Sequence, residues 1–170
     1  KVLYSSLVSS DFYATYDYMN SDIFDFGLII DIDKFKKEYE SSEVYLSIMR
    51  YRSYLMKEIE ENPYANSPIN QLRTEIFLES EKNLLKNVNS NIFYLEAPTG
   101  SGKTNTSINL ALRLLEKHKN LNKIFYIFPF NTLIEQTKTT LNSLFKSYTD
   151  EIVEINSITP IKTKYINKNN

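Results

Sequence analysis

Two glycines, a lysine and two threonines fall within eight residues, "APTGSGKT", from Ala97 to Thr104. These residue types at this spacing suit the holding of phosphate groups. Gly100 and Gly102 allow backbone torsions closed to other residues, so successive N–H groups can face one concavity. A helix starting directly after the loop adds free N–H groups and the positive end of its dipole. Lys103 would bring a cation to the β- and γ-phosphates of a nucleotide, and Thr104 a hydroxyl ligand for Mg²⁺. Ala97, Pro98, Thr99, Gly100, Ser101, Gly102, Lys103 and Thr104 together match the phosphate-binding loop, with Ala first where many such loops have Gly. A glycine-rich turn carrying an incidental lysine is the competing reading. The loop pattern points to nucleoside triphosphate binding and leaves motor, kinase and switch open.

The elements that must position this loop follow from periodicity. "NIFYLEA", 91–97, is a short apolar run rich in β-branched and aromatic residues, which reads as a buried strand. "KTNTSINLALRLLEKHK" has helical spacing through Ile108, Leu112 and Leu115. "KIFYIFP", 123–129, reads as a second strand, and "NTLIEQTKTTLNSLFKSY" as a helix capped by Asn131 or Thr132. "EIVEI", 151–155, reads as a third strand. Alternation of strand and helix predicts an α/β fold with a parallel sheet and flanking helices. An all-α segment precedes it. Leu3, Leu7, Ala14 and Tyr18 share one helical face with Asp11, and residues 34–61 read as one or two amphipathic helices. "INQLRTEIFLESEKNLLKNV" is helical through Leu72, Ile76, Leu84, Leu85 and Val88. Between them "ENPYANSP", 61–68, is the strongest break and the expected domain boundary.

Composition bounds the function. The chain has 170 residues, no cysteine and one histidine, His118, which excludes disulfides, thiolate metal sites and a self-contained multi-histidine centre. His118, at a helix end among lysines, reads as a surface residue. There is no run of about 18 apolar residues, so no membrane span or membrane partner is expected. With no visible signal peptide, a cytoplasmic location is expected. The net charge of −1 is uneven: residues 1–96 carry 10 basic and 16 acidic side chains, residues 97–170 carry 10 and 5. The basic half begins at the glycine-rich loop and suits a polyanionic partner, nucleotide or nucleic acid, against the plainer reading of chance surface asymmetry.

The loop and its flanks carry a resemblance. "APTGSGKT" is similar to motif I of superfamily 2 helicases, and "IFPFNTLIEQT" resembles motif Ia. In such helicases the second segment lies on the nucleic-acid backbone, which implies contacts from Pro129, Asn131, Thr132 and Gln136. "INQLRTEIF" sits where these helicases place an adenine-reading glutamine, with Gln71 and Arg73 as the candidates. Together with "LYSSLVSSDFYATYDYM", the chain resembles the CRISPR-associated helicase-nuclease of type I interference systems, an HD-type nuclease fused to a superfamily 2 helicase. The resemblance implies ATP and Mg²⁺ as cofactors, with Lys103 and Thr104 as catalytic groups. It also implies a divalent transition metal at the parent's nuclease site, with Asp11 as a ligand. Single-stranded DNA and an RNA-guided surveillance complex are the partners it implies.

On that resemblance residues 1–27 are the end of the nuclease domain, 28–66 a helical connector, and 67–170 the first part of a RecA-like lobe. The chain starts at Lys1, and no Asp-Glu pair follows the third strand, so motif II is missing. The chain is therefore expected to be an internal fragment with little activity alone. Alternatives are another superfamily 2 motor (a restriction-type translocase or a repair helicase) and a non-hydrolysing nucleotide- or DNA-binding module. A small-molecule kinase fits the flanks less well.

Overall fold

The computed structural model describes residues 31–154 and the isolated positions Leu7, Ser10, Asp11, Ala14 and Tyr18. Leu3, Gly27, Ile155 and the tail from Asn156 lie outside the described residues. The five isolated positions are helical and exposed.

Five α-helices follow: α1 Ile32–Glu40, α2 Glu43–Leu55, α3 Pro68–Lys86, α4 Lys103–Lys117 and α5 Asn131–Leu144, then a short 3-10 stretch Lys146–Glu151. Local chemistry sets their ends. Asp31 caps α1 by accepting from Lys34 N–H, and Ser42 caps α2 by accepting from Tyr45 N–H. The only two residues between α1 and α2, Ser41 and Ser42, make the sharp turn that brings the helices together. Pro68 opens α3 at a position whose N–H would have no helical partner, and the turn at 61–67 leads into it.

The helices share one core. Tyr39, Tyr45 and Ile48 from α1 and α2 pack with Phe77 of α3, Ile108 and Leu112 of α4, and Leu144 and Phe145 at the end of α5. Each large side chain buried this fully contributes about 1.5–3 kcal/mol. The core thus extends across the break at 61–68. On α3 the buried face is Thr74, Phe77, Glu81 and Leu84, whereas Leu72 and Leu85 are exposed. On α4 it is Thr106, Ile108, Asn109, Leu112 and Leu115.

The expectation of an α/β, partial RecA-like domain with a parallel sheet is overturned. Among the described residues there is no strand: 92–98 and 121–128 have no regular secondary structure, Glu151 belongs to the 3-10 stretch, and 152–154 are irregular. A strand exists only through the ladder it makes with a neighbour, and these runs make none. Their side chains still alternate. Tyr126 and Phe128 are half-buried, while Phe125 and Ile127, the latter 91 % exposed, face outward. Tyr94 is 94 % exposed, between the less exposed Phe93 and Leu95. The apolar pattern identified segments with one face to pack. It could not say whether a neighbouring strand would be there to pair with them. No helix among the described residues is long and apolar enough to cross a membrane.

Candidate nucleotide-binding site

The loop 97–104 stands at the start of α4. Gly100 and Gly102 have φ of 79° and 83°, in the left-handed region that glycine enters without cost, and Gly102 is the N-cap of α4. Ser101 N–H donates to the Pro98 carbonyl at 3.2 Å, closing a tight turn. The Ser101 side chain is only 4 % exposed, and its hydroxyl has no hydrogen-bond partner among the described residues. Lys103 reaches back over the loop: its Nζ donates to the carbonyls of Ala97 at 2.7 Å and Pro98 at 2.8 Å. Thr104 is exposed, and Thr99 lies at the exposed turn. An ammonium group therefore sits against the loop with two neutral acceptors. Phosphate oxygens would be stronger acceptors for it, because charge-assisted hydrogen bonds are roughly twice as strong as neutral ones.

α3 holds the loop itself, and α1 holds the first turn of the helix that follows it. Arg73 on α3 donates from Nε to the Gly100 carbonyl at 2.8 Å and from Nη1 to Asn70 Oδ1 at 3.1 Å. Tyr39 of α1 donates its phenol to Asn105 Oδ1 at 3.1 Å, in the first turn of α4. Burial pushes the Tyr39 hydroxyl well above the usual phenol range, so it stays a donor. Of the two adenine-reading candidates, the structure brings Arg73 to the loop. Gln71 instead donates to Glu75 Oε1 at 3.0 Å and accepts from Asn62 Nδ2 at 3.4 Å. Glu75 also accepts from Tyr51, whose hydroxyl is pushed up to about 12 by burial and by that carboxylate.

Below the loop, Arg113 of α4 gathers charge from three helices. Its Nε meets Glu81 at 2.9 Å, Nη2 lies 3.3 Å from Glu40, Nη1 lies 3.3 Å from Glu116, and Nη2 donates to Tyr45 Oη at 2.9 Å. Burial alone would favour the neutral guanidine, but Glu81 and the other partners more than offset it and hold Arg113 charged. Lys36 bonds Glu116 at 2.7 Å and, foremost among its neighbours, holds that carboxyl below the usual range. Arg113, Tyr39 and Asn105 were not singled out from the sequence. The one available signal was a carboxylate, Glu81, at a register that faces the core.

The remaining candidates are scattered. Pro129, Asn131, Thr132 and Gln136 are exposed at and after the start of α5. Neither Asn131 nor Thr132 caps that helix: both lie within it, Phe130 occupies the N-cap, and no side chain caps there. The cap expectation failed because helix entry is set by the extended Phe130 backbone (φ −135°, ψ 139°) and not by a polar side chain. Asp11 is helical and exposed, and among the described residues no cluster of three His, Asp or Glu side chains could hold a metal ion. His118 is half-buried, its Nε2 2.9 Å from the Val88 carbonyl, and so joins the end of α4 to the segment after α3.

Comparison with known proteins bears on this arrangement. Residues 58–169 match the family described as "Type III restriction enzyme, res subunit". The chain is also similar to the "U5 small nuclear ribonucleoprotein 200 kDa helicase" of Homo sapiens and of Mus musculus. Each is 26% identical over 130 residues, covering 70% of this chain and 6% of the relative. The chain thus spans a small part of the curated relatives it matches. No solved structure gives a significant match.

Proposed function

Because the chain belongs to the family of the type III restriction enzyme res subunit, and so to the superfamily 2 helicase-type motors that use ATP, we propose that its loop 97–104 is the motor's Mg-ATP site. The observation that carries this is the Lys103 ammonium folded over a loop whose two glycines are left-handed, at the start of a helix. The residues fit the group. Loop amides and the first turn of α4 would bind phosphate oxygens, Lys103 would exchange the Ala97 and Pro98 carbonyls for them, and the exposed Thr104 hydroxyl would reach Mg²⁺. The buried, unpartnered Ser101 hydroxyl belongs to the same loop. When bound, ATP would supply the phosphoryl group whose transfer drives the motor.

Titrating the chain with Mg-ATP tests this. The amide resonances of Gly100 to Thr104 should shift, and Lys103→Ala should abolish the shift while leaving the protein folded. Unmoved resonances at millimolar nucleotide would overturn the reading.

For the intact parent we propose translocation on single-stranded DNA, with the segment from Pro129 to Gln136 on the backbone of the strand. The likeness of the quoted segments to the CRISPR-associated helicase-nuclease supports coupling to a metal-dependent nuclease, with Asp11 as a ligand in the parent, and to an RNA-guided surveillance complex. The matched family favours a second reading, a restriction-type translocase without that nuclease. The two differ in the parent's divalent-metal-dependent cleavage of single-stranded DNA, which should be present and lost in Asp11→Ala under the first reading and absent from the unaltered parent under the second.

A further inference from the structure

We propose that Arg73 is a positioning residue that aims a loop amide at the phosphates, and that it does not read the base. The inference rests on the loop being a nucleotide site, as argued above.

The peptide joining Gly100 and Ser101 is trans, as are all described peptides. In a trans peptide the carbonyl and the N–H point in opposite directions. Arg73 Nε holds the Gly100 carbonyl at 2.8 Å on the α3 side. The Ser101 N–H is thereby turned away from α3 and toward the interior of the loop, where it meets the Pro98 carbonyl at 3.2 Å. Two hydrogen bonds thus fix that peptide, one at its carbonyl and one at its N–H. A Cβ built on Gly100 would meet nothing within 4 Å, so that residue stands in open space, and without the Arg73 bond the Ser101 N–H bond to Pro98 would be left to oppose a rotation that exchanges carbonyl and N–H. Glycine itself imposes no torsional preference against such a flip. A carbonyl turned into the loop would face phosphate oxygens with a like partial charge.

The arginine is in turn held. Its Nη1 donates to Asn70 Oδ1 one turn earlier on α3, so Nε and Nη1 act as a fork with a fixed direction. Its stem runs beside Gly102: a Cβ there would lie 3.8 Å from Arg73 Cγ. Both loop glycines therefore lie near this one side chain: it bonds the Gly100 carbonyl, and its stem would touch a Cβ placed on Gly102. Gln71, two residues earlier on α3, is committed to Glu75 and Asn62 and has no hydrogen bond to the loop among the described residues.

A residue that acts through the backbone affects every phosphate ligand alike, whereas a residue that reads adenine affects ATP alone. The affinities of the full chain for Mg-ATP, Mg-GTP and magnesium tripolyphosphate separate these. Arg73→Met, which keeps the stem and removes the donors, should weaken all three by about tenfold, the usual order for loss of a charged hydrogen-bond donor. Arg73→Lys should recover part of the loss for all three, and the Ser101 amide resonance of ligand-free Arg73→Met should move. Loss confined to ATP, or no loss in folded protein, overturns the inference. Should Arg73→Met fail to fold, Asn70→Ala decides: equal weakening of the three ligands supports it, and unchanged affinities refute it. If the unaltered chain binds none of the three, the nucleotide-site reading falls, and this inference with it.

Discussion

Arg113 and Arg73 are both arginines that reach from one helix to another, yet their surroundings differ in every respect that sets energy. Arg113 is mostly buried and meets Glu81, Glu40 and Glu116 with a tyrosine hydroxyl beside them. Arg73 is exposed and meets one backbone carbonyl and one side-chain amide. Around Arg113 low dielectric strengthens each ion pair and makes an unpaired partner costly. Around Arg73 water competes with each bond, so the side chain contributes little to stability and instead sets direction. One arginine holds helices together and the other holds a loop in shape.

The comparison breaks most readily at the buried end. Arg113→Leu should destabilise the chain by about 3–5 kcal/mol in urea unfolding, because Glu81, 8 % exposed, is left charged and unpaired. Replacing Glu81 with leucine as well should recover most of that loss. If the double variant is no better than the single one, the ion hub is not the source of the effect.

A smaller effect is expected at the loop. Gly102→Ala should cost about 1–2 kcal/mol, since φ of 83° is strained for a residue with a Cβ while no atom stands in the way of one. The melting temperature of the variant checks this. An unchanged value would mean that the helix entry relaxes without penalty.

The smallest effect concerns Lys36 and Glu116, partly exposed and expected to contribute about 0.2–1 kcal/mol. The Glu116 carboxyl is held low in the folded state by Lys36, so its contribution is present above the unfolded carboxylate value near 4.3 and is lost as pH falls through the folded value. The stability difference between the native chain and Lys36→Met should therefore be constant at neutral pH and shrink in acid. A difference that grows in acid would reverse the assigned sign.

Part of the loop's backbone geometry was readable from residue types alone. Gly100 and Gly102 occur where the torsion is left-handed, and the face of α4 through Ile108, Leu112 and Leu115 is the buried one. The runs 91–97 and 123–129 show what pattern cannot give. Their alternation is present, but a ladder needs a second segment in register, and the sequence of one segment does not specify it. The helix α3 was legible, but its buried face does not follow from apolarity: Leu72 and Leu85 are apolar but exposed, while Glu81 is buried and is met by an arginine from another helix.

Local sequence therefore determined where backbone torsions are special, where helices begin at Asp31, Ser42 and Pro68, and which short stretch carries a cation among glycines. Those properties depend on residues a few positions apart. Tertiary structure decided which charges are paired, which apolar runs form no strand among the described residues, and that Arg73 rather than Gln71 touches the loop. Those depend on contacts between residues far apart in the chain, such as Arg73 with Gly100 and Tyr45 with Arg113, whose energies exist only once the helices have met.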